Sequence, residues 1–146
     1  SCAAAEAARN ITQSQLDAVD EVRGEFETLS AIIRRRKPPQ ATDGVLNRWL
    51  DCEERFHRII VEAARNRLLA KVIEDHKALG RVFGVQRHRA AILTLALAEE
   101  TCRDHAAIAA ALRDRDADTA RRLMSDHIRK GRKTVLEHIR RHRSDS

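Results

Sequence analysis

The chain contains no tyrosine, and three phenylalanines and one tryptophan bring aromatics to only 3% of its 146 residues. Glycine occurs five times and proline twice. Sandwiches and barrels need frequent turn residues and strands rich in aromatic and β-branched side chains, so this scarcity excludes them. The three cysteines, Cys2, Cys52 and Cys102, form no C-x-x-C pair. An odd and widely spaced set supports neither a disulfide framework nor a thiolate zinc site, and reduced thiols in a cytoplasmic protein are the expectation. The longest largely apolar stretch, Ala90 to Ala98 with Thr94 within it, is far short of the roughly 20 residues that cross a bilayer. The opening SCAAAEAARN lacks the basic start and continuous apolar stretch of a signal peptide, and with no initiator Met the chain reads as a fragment or a trimmed form.

What is present is mostly Ala, Leu, Ile, Arg and Glu, largely good helix formers. A hydrophobic fraction of 42% argues against disorder even with 34% charged residues, and the length suits one domain with one core. An all-α domain over residues 1–146 follows. The net charge of +6 permits nucleic-acid contact, but acids are interleaved with the bases throughout.

Adjacent prolines in Lys37-Pro38-Pro39-Gln40 make the clearest break, since proline removes a donor and disfavours helix at the residue before it. Ahead of it, Ser14-x-x-Asp17 resembles a capping box, and Leu16, Val19, Val22, Phe26, Leu29 and Ile33 form one helical stripe. After it, Val45, Trp49, Cys52, Phe56, Ile59, Ile60 and Ala63 mark a second helix, punctuated by Asn66. Leu68, Leu69, Val72, Ile73 and Leu79 form a third apolar series, and Gly80 and Gly84 suggest a looser stretch. Residues 90–98, apolar all round, read as a buried helix that continues over Thr101 to Leu112. Arg113 to Asp116 reads as a turn, with Asp116 placed to cap a last helix of roughly two dozen residues.

Familiar enzyme motifs are missing: no glycine-rich phosphate loop, no G-x-S-x-G elbow and no H-E-x-x-H. Glu54-x-x-His57 is the only E-x-x-H unit, whereas a carboxylate-bridged di-iron site needs two. Glu53-x-x-x-His57 remains on the second helix, with His105 and His127 on later ones. At about 100° per residue, Glu53 falls inside the stripe of Trp49, Phe56 and Ile60, and His57 sits at its edge. His105 shares a face with Ile108, Ala109 and Leu112, and His127 with Ala120, Leu123 and Met124. One carboxylate and three imidazoles aimed inward suit zinc, nickel or manganese. The same spacing also fits histidines that satisfy local hydrogen bonds and an ordinary Glu–His helical pair.

Glu53-Glu54-Arg55-Phe56-His57, followed by Glu62-Ala63-Ala64-Arg65-Asn66, resembles the D-x-x-F-H and "asgN" motifs of the FCD domain, the C-terminal effector-binding domain of FadR-type GntR-family transcriptional regulators. Asp104 to Leu112 with Asp116 and Ala120 is similar to that family's "EH..I..Al..gD...A", Leu123 to Ile128 to its "m..Hi", and Val22-Arg23-x-x-Phe26-Glu27 to its "evR..lE". The motifs run in the family's order over about residues 16–140.

The resemblance implies an antiparallel helical bundle with a central ligand and metal cavity, in which an Asp and three His hold a metal beside a small organic acid. Carried over, the metal ligands are Glu53, His57, His105 and His127, with zinc the first choice of divalent ion. Arg23 is the candidate for an effector carboxylate, with a solvated or Glu27-paired arginine as the alternative reading. Asn66 is a second effector contact or a helix-end residue. The implied protein is a cytoplasmic, homodimeric regulator that meets DNA only through an N-terminal winged helix-turn-helix lying outside this chain, with no membrane partner and no catalytic role. Glu53 in place of Asp and a short interval between the first two helices, Arg34 to Gly44, depart from the family pattern. A helical metalloenzyme using metal-bound water is the rival from another class. A nucleic-acid binder using the basic Ile128–Arg143 segment is a second, without an aromatic platform to support it.

Overall fold

The computed structural model describes residues 2–68, 70, 71 and 89–144. Among the described residues five helices can be given bounds: α1 (Cys2–Asn10), α2 (Gln13–Arg35), α3 (Asp43–Ala63), α4 (Leu95–Arg113) and α5 (Ala117–Ser144), with a 3-10 turn over Arg89–Ala91. Among the described residues the only β pairing is an isolated bridge between Gln40 and Thr94. None of the described helices is long and apolar enough to cross a membrane.

Helix α1 was not among the elements read from the sequence. Its alanines Ala4, Ala7 and Ala8 are buried, and side chains this small let α1 lie close against α5 and α3. Helix α2 starts two residues before the expected capping box. Thr12, not Ser14, takes the N-cap: its hydroxyl accepts from the Gln15 N–H at 3.1 Å while Gln15 Oε1 accepts from the Thr12 N–H at 3.0 Å. Glutamine closes the box as glutamate does, and Asp17 is engaged instead by Gln13 Nε2 at 2.9 Å.

The whole stripe from Leu16 to Ile33 is buried, as are Val45, Trp49, Cys52, Phe56, Ile60 and Ala63 on α3. Residues 36–42 turn the chain so that α2 and α3 pack directly as an antiparallel pair, and the Ala41 N–H donates to the Leu93 carbonyl at 3.2 Å. Thr42 caps α3 by accepting from the Val45 N–H at 3.2 Å. At the far end the left-handed residue is Arg65 (φ 56°), one before the expected punctuation at Asn66. The Asn66 carbonyl instead accepts from the Ala70 N–H at 3.0 Å and opens the next turn. Leu68 is exposed, whereas Leu69, Val72, Ile73, Leu79, Gly80 and Gly84 lie outside the described residues.

The expected continuous helix over 90–98 is corrected. Thr94 interrupts the run and caps α4, accepting from the Leu97 N–H at 3.2 Å. Its own N–H donates to Ile92 and the Leu93 carbonyl is taken by Ala41, so neither group extends a helix. Between α4 and α5 the expected turn and cap are both present. Asp116 accepts from the Thr119 N–H at 3.2 Å and the Thr119 hydroxyl at 2.6 Å, and α5 runs 28 residues.

Helix α2 lies between α3 and α4, α5 packs on α4 and α1, and α1 closes against α3. The core this bundle encloses centres on Phe26, Phe56, Ile108, Leu112 and Met124. Burial of each such side chain contributes about 1.5–3 kcal/mol.

A candidate metal and effector site

Glu53 and His57 stand one helical turn apart on α3, which puts both on one face. His105 enters from α4 and His127 from α5. His127 has both of the other imidazoles near it. His105 is 5.0 Å from His127 between ring centroids, and His127 is 6.4 Å from His57 with the two rings within 22° of parallel.

His105 is only 1% exposed. It stacks on Phe56 at 4.1 Å and meets the edge of Phe26 at 4.6 Å. Neither of its ring nitrogens has a hydrogen-bond partner. Burial, reinforced by the nearby His127, His57 and Arg23, pushes its pKa down to about 2, so the ring is neutral. Leaving a buried polar atom unsatisfied costs about 1–3 kcal/mol, and this side chain leaves two.

The other donors are wetter and engaged. His127 Nδ1 lies 3.0 Å from Asp104 Oδ2. Lys130 Nζ donates to Asp104 Oδ1 at 3.1 Å and to Glu100 at 3.2 Å, and its pKa is raised, first by the Asp104 bond. Glu53 Oε1 accepts from Trp49 Nε1 at 3.2 Å. A cavity of about 570 Å³ opens between α3, α4 and α5 beside these groups. Glu53 and His57 line it from one side and Asp104, His127 and Lys130 from the other, while aliphatic residues such as Leu50, Leu97 and Val135 form much of the rest. The volume suits a small ligand held by an apolar wall and a few polar groups. His105 is not part of the lining.

The donor types fit a borderline divalent cation, and His105 has two buried nitrogens without a hydrogen-bond partner, one of which carries a lone pair that a cation could take. Two imidazoles sharing a tetrahedral ion at about 2.0–2.1 Å per Zn–N bond place their centroids roughly 5 Å apart. The His105–His127 pair already stands at that separation, whereas His57–His127 is wider. Accordingly, no three His, Cys, Asp or Glu side chains among the described residues converge as a finished set able to hold a metal ion. His105 and His57 each lie near His127, and Glu53 lines the same cavity as His57 and His127, without the four closing on one point.

Arg23 donates to Asp20 at 3.1 Å, not to Glu27, and lies outside the cavity lining, although its charge bears on His105. Asn66 is half-buried beyond the end of α3 and is also outside the lining. Asp104 and Lys130 were not singled out as site residues from the sequence. The available signal was an acidic i,i+4 pair, Glu100 and Asp104, together with His127 and Lys130 at i,i+3 on the next helix. The described cysteines Cys52 and Cys102 are free and buried, and burial raises both thiols, Cys102 to about 12. In the basic segment, Lys130 is paired as above and Arg129 with Asp126 at 3.4 Å.

The family model of the FCD domain matches residues 1–130. No curated protein matches the chain, and no solved structure does.

Proposed function

The chain belongs to the FCD domain family, and from that premise we propose that it is the effector-sensing and dimerisation domain of a bacterial GntR-type transcriptional regulator in the cytoplasm. Its role is coupling, not turnover. The observation that carries the metal part of the reading is His105, a neutral imidazole with both nitrogens buried and unpartnered beside two further imidazoles. Glu53, His57, His105 and His127 would hold a divalent ion, zinc before nickel or manganese. Such an ion supplies a Lewis-acidic anchor for the carboxylate of a small organic acid.

The chain's own residues do the rest. The aliphatic wall of the cavity excludes water from the body of the acid, which strengthens polar contacts at its charged end. Arg23 and Asn66 would reach the acid only from outside the present lining, Arg23 by leaving Asp20 and offering a two-pronged guanidinium to the carboxylate, Asn66 by an amide contact. Because the ligands come from α3, α4 and α5, an acid that prefers one arrangement of these helices shifts the population toward it. Across a homodimer that shift reorients the separate winged helix-turn-helix domains that read DNA.

Elemental analysis of protein purified without chelator tests this reading, together with melting curves in zinc and in a panel of small carboxylic acids. Stoichiometric metal and a zinc-dependent rise in melting temperature that disappears in His105→Ala are expected. Metal-free protein whose zinc response is unchanged by His105→Ala overturns it.

A further inference from the structure

Asp104 immediately precedes His105 on α4, yet its carboxylate serves the other histidine. One oxygen, Oδ2, is 3.0 Å from His127 Nδ1, and the other, Oδ1, accepts from Lys130 Nζ at 3.1 Å. The pair is shielded, with Asp104 21% and His127 15% exposed at the side chain. Glu100, one turn earlier on α4, takes a second bond from Lys130 at 3.2 Å.

We infer that Asp104 is a positioning residue that fixes His127 as its Nδ1–H tautomer and reserves Nε2 for a ligand, with Lys130 holding the carboxylate in place; this deepens the metal reading above and rests on it. A neutral imidazole has one N–H and one lone pair, and a carboxylate can only accept. Nδ1 therefore carries the proton, and Nε2 keeps the lone pair that a cation needs. A carboxylate behind a metal-bound histidine fixes the orientation of its ring in the same way. Lys130 has a distinct part. By engaging Oδ1 it limits rotation of the carboxylate.

The same logic sets the test. In Asp104→Asn, Lys130 can only donate, so the new amide presents its oxygen to Lys130 and its NH₂ to His127. The imidazole is then driven toward the Nε2–H tautomer. Nitrogen-15 NMR of the metal-free full chain in basic buffer reads this directly. His127 is expected as Nδ1–H in the wild type and shifted toward Nε2–H in Asp104→Asn.

Cobalt(II) titration supplies the second readout, with affinity expected to fall about 10–100-fold in Asp104→Asn. The absorption spectrum of the saturated variant should match the wild type, because the ligand set is unchanged. Lys130→Met, which spares the carboxylate, should keep the wild-type tautomer and lose less affinity. An Nε2–H tautomer in the wild type, an Asp104→Asn affinity within about twofold of wild type, or a changed cobalt spectrum at saturation overturns the assignment. The changed spectrum would make Asp104 a ligand itself. If the wild type takes up no cobalt, the metal reading falls, and the tautomer alone decides whether Asp104 orients His127.

Discussion

His105 and His127 are adjacent imidazoles held by opposite means. His105 is fixed by packing between Phe56 and Phe26, with no hydrogen bond to either nitrogen. His127 is fixed by a hydrogen bond to Asp104, on the wall of a cavity. A packed ring is rigid but leaves its polar atoms at a cost in stability, while a hydrogen-bonded ring is satisfied at one nitrogen and oriented at the other. The site thus combines a dry floor with a wet wall, and only the floor carries an unmet demand that a ligand could satisfy.

Phe26→Ala should break the floor most severely. Phe26 touches Trp49, Phe56 and His105, and its truncation is expected to destabilise the protein by about 3–5 kcal/mol in urea unfolding. The contact between His127 and Asp104, which Phe26 does not touch, should survive in the folded fraction by NMR.

His105→Phe reverses the sign. With the two unsatisfied nitrogens gone, the metal-free protein should gain about 1–3 kcal/mol, measured by urea unfolding in chelator. The same variant should lose its response to zinc. A loss of stability in the metal-free state would mean that these nitrogens are satisfied in solution.

Acid should expose the same difference. The folded pKa of His105 lies well below its ordinary value of 6.5, so on acidification the unfolded chain takes up this proton first. The stability associated with the neutral ring is complete above about pH 6.5 and declines below it, by up to about 1.4 kcal/mol per pH unit until the folded pKa is approached. Wild-type and His105→Phe melting temperatures in chelator, followed from neutral pH downward, should diverge, with the wild type falling faster.

The smallest effect serves as a control outside the site. Asp116→Ala removes the cap of α5 and should cost about 1 kcal/mol. Zinc response should be retained, because α5 still carries His127 into place through its packing on α4.

Much of this arrangement could be read from local patterns. The stripes on α2 and α3 are buried almost residue for residue, and Asp116 caps α5 as its position suggested. Glu53 and His57 share a face because four residues make about one turn. Local patterns failed where a competing partner came from elsewhere in the chain. Ser14 lost the N-cap to Thr12, whose Gln15 completes the box. The apolar run around Thr94 could not reveal that residue 41 takes a carbonyl from it. Helix α1 has no stripe of large side chains to mark it, because its buried alanines pack by close approach to other helices.

Composition and periodicity alone determined the all-helical class, the faces that form the core and the placing of Glu53 and His57 on one face of a helix. Each depends only on the turn angle of a helix and on which side chains avoid water. Only the tertiary structure decided that His105 is dry, that Asp104 and Lys130 stand behind His127, and that Arg23 and Asn66 lie off the cavity wall. Contacts between helices depend on their relative rotation and stagger to within about an ångström, and no spacing within a single helix encodes that.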